Sequence, residues 1–583
     1  VAGATCLLGG DISEWLSHGE TPPRRTVLDH AGRASGAFGF DYKLAPGEER
    51  EYWFVSPPST LTDLEPLMPA ENAALRVSNA RELFARTRAA WERRLNVARM
   101  TPPKGAERWW DVARSQIGYI LLNRDGPAIQ PGSRSYERTW IRDGSLTCNA
   151  LLDFGHAEEV RAFLDWFAPM QYDNGKVPCC ADSRGPDPVP ENDSHGQFIY
   201  AMATYAKYTG DLSLLRKHYE RIVGAVKYME FLRAQRLTPQ YVDAPERSLD
   251  RAKAGLMPES ISHEGYSAKP MHSYWDDLFA LRGFKDAAWI AGVTGHEDDA
   301  RTFASLAEEF RASLLDSLRR SMAYHRIDYL PGCVELGDFD ATSTTVALFP
   351  VDEAGLNNQG RLPLAAVEAT FDRYWSFFVD RRDGATKTTW EAYTPYENRA
   401  IGALVRLGRR DRAHDLVRYF LDDQRPRGWN AFAEVVWRDP TRPSFIGDIP
   451  HTWCGSDYVN SFRSLFVYER EFDDALVLFH GVTREWLDSG FSFTNWQTVH
   501  GPLSAVVTPA SGGFVIELSA AENAENKSKP TRPWSPPAGG LVLMLPESSR
   551  LGPVRIDGRE TKARDDGAIV VDHLPAKVEC RWR

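Results

Sequence analysis

The segment SHGQFIYAMATYAKYTG, residues 194–210, carries small or apolar side chains on nearly every face of a helix. A helix that is apolar all round lies buried inside a protein. Gly210 stands where this helix should end, because glycine adopts the left-handed conformation of a helix terminus at little cost. A second helical pattern starts at once in DLSLL, residues 211–215. The segment therefore predicts a tight hairpin of two helices.

The same glycine corner occurs at three other places in the chain. FGHAEEV from residue 154, TGHEDDA from residue 294 and LGRRDRA from residue 407 each set a glycine between two helical patterns. Recurrence of one corner indicates a repeated helical hairpin. Helical periodicity predicts twelve helices, at residues 106–123, 144–154, 157–169, 193–209, 211–235, 271–293, 297–321, 340–349, 361–376, 392–407, 410–423 and 454–468.

The predicted helices alternate between buried and partly exposed ones. The seventh contains DDARTFASLAEEFRASLLDSLRR and carries charge along one face, which is typical of an outer helix. Alternating inner and outer helices make a closed (α/α)6 barrel. The links that lead into the inner helices are long, and long loops without regular structure are usually functional. In this barrel all six would meet at one end, at residues 125–143, 170–192, 236–270, 322–339, 377–391 and 424–453.

The regions on either side of the barrel have a β pattern. Residues 1–60 include GAFGFDYKLAPGEEREYWFVS, whose alternation predicts the end of a β-sandwich. Residues 61–105 look like a helical linker to the barrel at 106–470, and residues 471–583 contain short alternating strings such as GGLVLMLP and KVECRWR. We therefore expect a mainly α protein, an (α/α)6 barrel flanked by an N-terminal β-sandwich portion and a small C-terminal antiparallel β-domain.

Composition limits the classes of function. The 583 residues include 69 Lys and Arg against 80 Asp and Glu, a net charge of -11, which argues against a nucleic-acid partner. No apolar run reaches the roughly 18 residues of a membrane span. The seven cysteines show no Cys-x-x-Cys spacing, so we expect no metal site, and no cofactor motif stands out. We favour a secreted or periplasmic location and leave a cytoplasmic one open; the oligomeric state is not readable.

The six long loops concentrate carboxylates, tryptophans and a few cations. This mixture fits carbohydrate, because sugar hydroxyls bind charged groups and sugar C–H faces stack on indole rings. Hydrolysis of a glycosidic bond needs two carboxyl groups, one protonated to assist the leaving oxygen and one ionised to activate water or to attack. The candidate site residues are Trp140, Arg142, Asp143, Asp193, His195, Glu259, Glu264, Trp275, Trp390, Glu391, Glu434, Asp448, His451 and Trp453.

Several of these residues also have a purely structural interpretation. Asp143 could be only a helix N-cap, and His195 could be a core histidine with satisfied hydrogen bonds. Glu391 could cap a helix or pair with Arg399. Glu434 lies in WNAFAEVVW between two tryptophans, where a carboxylate is costly unless it is used or paired. Placement across all six loops is therefore a stronger signal than any single residue.

With its loops laid out, the chain resembles the bacterial six-hairpin glycosidases, the class that includes glucoamylases, trehalases and α-L-rhamnosidases. The resemblance covers about residues 105–470. WIRDGS resembles the glucoamylase Trp-x-Arg-Asp element, which implies that Arg142 and Asp143 hold the terminal sugar. GLMPESISHEG occupies the place of the general-acid loop, which implies that Glu259 or Glu264 is the acid.

The general base is implied by a second element of the resemblance. WNAFAEVVW and the later HTWCG resemble the rhamnosidase segment in which a glutamate precedes an Asn-His helix start, which implies Glu434 as base and His451 at the helix start. The pattern departs from both families. Pro258 stands where the glucoamylase acid loop has tryptophan, Pro450 stands where the rhamnosidase has asparagine, and the rhamnosidase Arg-x-Glu element is absent.

The resemblance implies an exo-acting glycoside hydrolase, inverting like most of these families, that cleaves terminal sugars from an oligo- or polysaccharide with paired carboxylates. Asp448 is a reserve base, since it lies on the loop of Glu434. Arg142, Asp143, Asp193 and His195 would fix the sugar. Stacking would fall to Trp140, Trp390 and Trp453, with Trp275, Glu391 and His451 also at the site.

Other functions remain open at the level of the sequence. A polysaccharide lyase or sugar isomerase could use an α/α barrel, and His263, Tyr266 and Lys269 offer a base and a cation in the third loop. A phosphorylase would need a phosphate pocket. A non-catalytic carbohydrate-binding protein would form no product. The sequence does not give the sugar, its anomer or its linkage.

Overall fold

The computed structural model describes residues 2–5, 12–28, 34–52, 77–356, 361–384, 392–424, 428–438, 447–520 and 532–583. Contacts within the chain divide it into two units, Val1–Trp91 and Glu92–Arg583. In the first unit the strands Ala2–Thr5 and Ser35–Phe38 pair antiparallel, and the helix Ile12–Ser17 lies between them in sequence. The finer division at residues 60, 105 and 470 stays a prediction.

The second unit is built on twelve helices, as the periodicity predicts. We label them in chain order as α1 Glu107–Leu122, α2 Ile141–Asp153, α3 Ala157–Phe167, α4 Ser194–Thr209, α5 Tyr219–Ala234, α6 Tyr274–Thr294, α7 Glu297–His325, α8 Ala341–Thr344 with the 3-10 turn Thr345–Ala347, α9 Leu364–Arg382, α10 Arg399–Arg406 preceded by the 3-10 turn Pro395–Asn398, α11 Arg410–Asp422 and α12 Thr452–Ser464. Further helices of the described residues are Val77–Leu95, Ser213–Lys217, Pro239–Val242, Leu249–Ala252 and Arg484–Ser489. No helix in these described ranges is long and apolar enough to cross a membrane.

The even-numbered helices form an inner ring that closes on itself. Each inner helix contacts the next one, and α12 returns to contact α2. Every residue of α2 and of α12 is buried, and in α4 only Lys207 is not. The outer helix α7 buries one stripe of residues at helical spacing and exposes the rest. The (α/α)6 barrel and its inner and outer helices are therefore confirmed.

The glycine corners are also confirmed. The glycines at these corners all have φ between 70° and 89°, in the left-handed region that glycine enters without strain; they are Gly155, Gly210, Gly295 and Gly408. At three of these corners the outer helix begins two residues after the glycine, at Ala157, Glu297 and Arg410. The fifth helix is not continuous from residue 211 as the periodicity predicts, because the short helix Ser213–Lys217 comes before α5. The long loops consequently all lead to the N-terminal ends of the inner helices, at one end of the barrel.

Four inner helices start two or more residues from where the periodicity predicts: α6 begins at Tyr274 and not at residue 271, α10 begins at Arg399 and not at residue 392, and α2 and α12 differ as follows. α2 begins at Ile141 and not at residue 144, because Thr139–Trp140 pairs with Cys180–Asp182 in a short antiparallel ladder and the Ile141 N–H bonds the Cys179 carbonyl at 2.9 Å. α12 begins at Thr452 and ends at Ser464, since the strand Val467–Arg470 follows at once. These differences place the polar residues of both loops at helix starts.

Two sheets follow the barrel. The larger one orders its strands as Arg559–Thr561, Val554–Ile556, Ala576–Arg581, Gly513–Ala520, Leu503–Ala510, Phe491–Trp496 and Arg99–Thr101. The smaller one orders Ile569–Val571, Leu541–Leu543, Ala475–Leu478 and Val467–Arg470. The C-terminal β-portion is antiparallel except for the parallel pair Ala475–Leu478 and Leu541–Leu543. The short pairs Cys180–Asp182 with Gly185–Pro186, and Ala392–Tyr393 with Val436–Trp437, lie in the loops.

The inner helices α4 and α6 approach each other through two glycines. A Cβ added at Gly196 would overlap the Phe279 carbonyl oxygen, and one added at Gly283 would lie 2.7 Å from the Gly196 Cα. Neither position has room for a methyl group, so the backbones themselves form this part of the ring.

We expect Gly283→Ala to destabilise the protein by about 1–3 kcal/mol, the usual cost of overpacking. Gly292→Ala is the matched control on the same helix, because an added Cβ there has nothing within 4 Å. That control should be neutral or slightly stabilising, since alanine favours helix. Urea unfolding followed by circular dichroism measures both. Equal midpoints for the two variants would contradict the close helix contact.

Candidate active site

The start of α2 carries the first wall of the site. Trp140 is the N-cap residue of α2 and makes no side-chain capping hydrogen bond, so Asp143 lies inside the helix and is not its N-cap. Asp143 is 4% exposed, and its Oδ2 is buried without a hydrogen-bond partner. A buried acceptor that has no partner is rare in proteins and indicates a role outside packing. The structural interpretation of Asp143 as a cap is thus wrong.

Arg142 is a buried cation surrounded by carboxylates. Its Nη1 donates to Glu191 Oε2 at 2.6 Å, while Nε lies 3.6 Å from Asp143 Oδ2 and Nη2 lies 3.6 Å from Glu264 Oε1. Burial opposes the charge, but Glu191, Asp143 and further carboxylates raise the pKa of Arg142 well above its ordinary value. Arg142 therefore stays charged, and its Nε has no hydrogen-bond acceptor.

Asp143 has an altered protonation state for the same reason. Burial raises its pKa, the Arg142 charge opposes the rise, and the charges of Glu264, Glu434 and Asp457 add to it, which together bring the pKa of Asp143 to about 8. Near neutral pH this side chain can therefore donate as well as accept a hydrogen bond. A donor and acceptor beside the Arg142 guanidinium suit vicinal hydroxyl groups.

Glu434 is held at the opposite wall by two phenols. Tyr136 from the first loop donates to Glu434 Oε2, and Tyr396 from the turn before α10 donates to Oε1 at 3.0 Å. Burial raises the pKa of Glu434 above its ordinary value, and the two hydrogen bonds oppose that rise. Both oxygens are thereby oriented, which is what a group that positions a water molecule needs.

Glu264 reaches Arg142 from the third loop, with its Oε1 3.6 Å from Arg142 Nη2. Its backbone has φ 65°, a left-handed conformation that a residue with a side chain rarely adopts. The side chain is 53% exposed in the absence of substrate, and its charge contributes to the raised pKa values of Asp143 and Glu434. Strained backbone of this kind clusters at functional sites. Glu264 and Glu434 thus act on each other electrostatically across the site.

The floor of the site is aromatic and buried. Trp275 Nε1 donates to Asp193 Oδ2 at 2.7 Å. Trp453 lies under two guanidinium groups, with Arg142 at 5.2 Å and Arg399 at 5.3 Å from its ring centroid. Both indoles are less than 5% exposed, so they close the bottom of the site. Stacking of a sugar on Trp453 is not supported, because cations already lie over this ring.

Trp140 is the candidate ring nearest the mouth. It is partly exposed and packs edge to face against Tyr136 at 5.6 Å. Arg138 lies 5.6 Å from its ring centroid. Trp140 is therefore partly exposed but already has a cation over its ring, and its stacking on a sugar stays a prediction. Trp390 and Glu391 lie outside the described residues.

Glu259 is not brought to the carboxylate pair. It forms an ion pair with Arg236 and lies 3.5 Å from His272 Nε2. Burial opposes the effect, but its own backbone N–H and the Arg236 charge hold the pKa of Glu259 below its ordinary value. A general acid needs a raised pKa, so these contacts make Glu259 unsuited to that role, and the choice between the two glutamates stays a prediction.

Asp448 is an anchor of the first loop. It accepts from the backbone N–H groups of Arg134 at 2.8 Å, Ser135 at 3.1 Å and Tyr136 at 3.2 Å. Burial opposes the effect, but these hydrogen bonds lower the pKa of Asp448. Its acceptor capacity is taken up by the loop, which leaves it unsuited to the role of reserve base.

The two histidines differ in how their ring nitrogens are used. His195 Nδ1 accepts from the Val177 N–H at 3.1 Å in a fully buried environment, and burial lowers its pKa to about 3. Its Nε2 is buried without a hydrogen-bond partner, so the interpretation of His195 as a core histidine with satisfied hydrogen bonds is not confirmed. His451 caps α12 by accepting from the Cys454 N–H at 3.5 Å; burial lowers its pKa to about 3 as well.

Sequence reasoning missed three functional candidates. Tyr136 and Tyr396 hold Glu434, and Glu191 pairs with Arg142. Their partners lie 298, 38 and 49 residues away in the chain, and no local spacing signals such pairs. Within the described ranges, no group of three or more His, Cys, Asp or Glu side chains could hold a metal ion.

The raised pKa of Asp143 predicts a specific pH dependence. In the unfolded chain an aspartate titrates near pH 4, so folding stability from this group is complete below about pH 4 and is lost as the pH rises through about 8. Asp143→Asn should therefore raise the free energy of unfolding above that of the parent by an amount on the order of 1–3 kcal/mol. The rise in its thermal midpoint should be larger at pH 8 than at pH 5.

Asp448→Asn is the matched control with the opposite sign. A lowered pKa contributes stability above the unfolded value and loses it as the pH falls through the folded value. This control should lower the midpoint about equally at pH 5 and pH 8. If the thermal midpoint of Asp143→Asn falls below that of the parent at pH 8, Asp143 is ionised and paired in the folded protein.

Comparisons with known proteins show what the fold of this chain is similar to. No protein-family model matches the chain, and no curated protein matches it. Among solved structures, the α-L-rhamnosidase from Dictyoglumus thermophilum superposes with a TM-score of 0.52 at 14% identity, over 83% of this chain and 50% of that one. The chain thus spans about half the length of this rhamnosidase.

Two further solved structures show weaker likeness. The glucoamylase from Saccharomycopsis fibuligera gives a TM-score of 0.48 at 12% identity, over 62% of this chain and 96% of that one. The α-L-rhamnosidase from Streptomyces avermitilis complexed with L-rhamnose gives 0.47 at 15% identity, over 83% and 41%. At these identities it is the fold that is shared: the chain has the (α/α)6-barrel fold of the six-hairpin glycosidases.

Proposed function

We propose that the protein is a glycoside hydrolase that removes a terminal neutral sugar from an oligo- or polysaccharide. The observation that carries the proposal is the pair Glu264 and Glu434, whose charges both act on the buried Asp143, beside a buried guanidinium with an unpartnered polar atom. Two carboxyl groups on either side of a sugar-binding point are the minimum for glycoside hydrolysis. The barrel fold shared with glycosidases supports the same reaction class.

In this proposal Glu434 is the general base. Two phenol donors stabilise its ionised form and fix both carboxylate oxygens. One oxygen can then accept a proton from a water molecule as the water attacks the anomeric carbon. A base held by hydrogen bonds to its charged form is the usual arrangement for this role.

Glu264 is the general acid. It is partly exposed before substrate binds, and a bound sugar would exclude water from it. Loss of water around a carboxyl group favours its neutral form. The protonated Glu264 would then donate to the glycosidic oxygen as the leaving group departs.

Arg142 and Asp143 bind the terminal sugar. Arg142 Nε can donate to one hydroxyl, and Asp143 Oδ2 can bond its neighbour; both atoms otherwise stay buried without partners. Leaving such groups without hydrogen bonds costs free energy. A ligand with hydroxyl groups would supply those hydrogen bonds when it binds. Glu191 keeps the guanidinium in place at 2.6 Å.

The closed floor supports exo-action. Trp275 and Trp453 are buried at the bottom of the site, within the ring of inner helices. A saccharide chain cannot pass through this floor, so its end would have to stop there. The reaction inverts the anomeric configuration if Glu434 activates a water molecule. It would retain the configuration if Glu434 attacked the sugar itself.

The lyase alternative loses one of its two candidate bases. Tyr266 donates to Asp338 at 3.0 Å, and burial, Cys333 and Asp338 raise its pKa far above the ordinary value. His263 is hydrogen-bonded to Ser343 at 2.9 Å, its ring centroid lies 5.2 Å from that of Trp275, and burial lowers its pKa. His263 is therefore the base that a lyase reaction would use, and the product of the reaction separates the two functions.

Glu264→Gln and Glu434→Gln should each lower kcat/KM by a factor of about 10³ or more, since each removes an essential proton transfer. Glu259→Gln is the matched control and should keep activity within about tenfold. A panel of p-nitrophenyl glycosides and oligosaccharides, with NMR of the anomer first released, measures activity and stereochemistry together. A larger loss in Glu259→Gln than in Glu264→Gln would reverse the assignment of the acid.

The two roles also separate by leaving group. Glu264→Gln should retain far more activity on dinitrophenyl glycosides, whose leaving group needs no proton. Glu434→Gln should stay inactive on them. Release of an unsaturated sugar, or of a sugar phosphate only when phosphate is added, would overturn hydrolysis.

Tyr136→Phe and Tyr396→Phe each remove one donor to Glu434. Either change should raise the lower pKa in the profile of kcat/KM against pH by about one unit, because the ionised carboxylate loses a hydrogen bond. Tyr266→Phe is the control, since its hydroxyl donates to Asp338. If the acidic side of the kcat/KM profile does not shift in either tyrosine variant, Glu434 is not the base.

A further inference from the structure

A separate cavity of about 480 Å³ lies at the other end of the inner ring. Its walls come from the C-terminal halves of α4 and α6 and from the segments around residues 469–475, 499–500 and 532–536. Asp193 at the start of α4 and Lys207 near its end are separated by about 20 Å of helix. The cavity is therefore distinct from the site of the carboxylate pair.

The charged groups of this cavity neutralise one another. Lys207 Nζ lies 2.7 Å from Asp286, and Arg282 bonds both Asp286 and Glu471. Lys285 Nζ lies 3.1 Å from Glu471. Burial opposes the effect, but Arg282 and Lys285 lower the pKa of Glu471 well below its ordinary value, so the carboxylate stays ionised. A free anion would therefore meet cations that are already paired with carboxylates. A free cation would meet carboxylates that are already paired with cations.

Aromatic surface and an unpartnered donor complete the walls. Trp289 is partly exposed, and Lys207 Nζ lies 5.0 Å from its ring centroid. The Tyr200 hydroxyl donates a hydrogen bond to Asn149, and the Tyr208 hydroxyl donates one to Asp153. Arg406 is 6% exposed, and its Nε is buried without a hydrogen-bond acceptor.

We propose that this cavity is a second binding site, for a neutral saccharide of one or two rings. Its volume is in the range of small-ligand pockets, about 300–1,000 Å³. Neutral hydroxyls can both accept from the guanidinium and ammonium groups and donate to the carboxylates without disturbing the ion pairs. The indole of Trp289 offers a face for sugar C–H groups. An apolar ligand would bury these charges without hydrogen bonds, which is costly.

The test locates binding by hydrogen–deuterium exchange and measures affinity by calorimetry. The protein is the full chain carrying Glu434→Gln, so that no probe is consumed. The probes are maltose, cellobiose, trehalose, sucrose and melibiose, with inorganic phosphate as the comparison. At least one disaccharide should slow exchange in the backbone segments 199–209 and 467–475, far from the catalytic loops.

Three variants make the result specific. Trp289→Ala should weaken that disaccharide about tenfold, the scale of one lost aromatic contact. Ser535→Trp, which places a large ring in the wall, should abolish the protection. Trp375→Ala is the matched control, because Trp375 is also a partly exposed tryptophan beside an arginine, Arg412 at 5.3 Å, but lines no part of the cavity.

The proposal is overturned if no disaccharide protects these segments in the folded protein, or if phosphate alone does. It is also overturned if Trp289→Ala and Ser535→Trp bind like Trp375→Ala. Because the readout does not involve the carboxylate pair, these outcomes are independent of whether the protein hydrolyses glycosides.

Discussion

Closure of the inner ring is the constraint on which the rest of the second unit depends. α4 and α6 pack so closely at Gly196 and Gly283 that their backbones touch, and α12 returns to α2. The inner ring is held together by polar contacts as well, since Thr147 bonds Ser456 at 3.3 Å and Asn149 donates to Asn460 at 3.1 Å between α2 and α12.

The ring also creates the seam at which the carboxylate site forms. The loop before α12 binds the loop before α2 through Asp448, which accepts three backbone N–H groups, and through the Thr452 N–H, which bonds the Pro131 carbonyl at 2.8 Å. Tyr136 lies on this bound loop and reaches Glu434. The position of the proposed base is therefore set by the same contacts that close the barrel.

The site itself is maintained at a cost in stability. Arg142 and Asp143 are buried with unpartnered atoms, and Asp143 is forced towards its neutral form. Groups of this kind destabilise a folded protein unless a ligand satisfies them. Unsatisfied groups of this kind at the starts of the inner helices are the physical reason to place function there.

The sequence by itself determined the twelve helices, the glycine corners and the loops that carry the chemistry, because helical periodicity and glycine conformation are local properties of the chain. It also placed Arg142, Asp143 and Glu434 in those loops. It did not decide whether Glu259 or Glu264 is the general acid, and it kept Asp448 as a second candidate for the general base.

Only the tertiary structure decided how these carboxylates are paired. Arg236 neutralises Glu259, whereas Arg142 brings Glu264 to the site. Tyr136 and Glu434 are 298 residues apart in the chain, so their pairing exists only once the ring has closed. The pKa of a side chain depends on burial and on charges from distant segments, and for that reason the roles of these residues could not be read from local spacing.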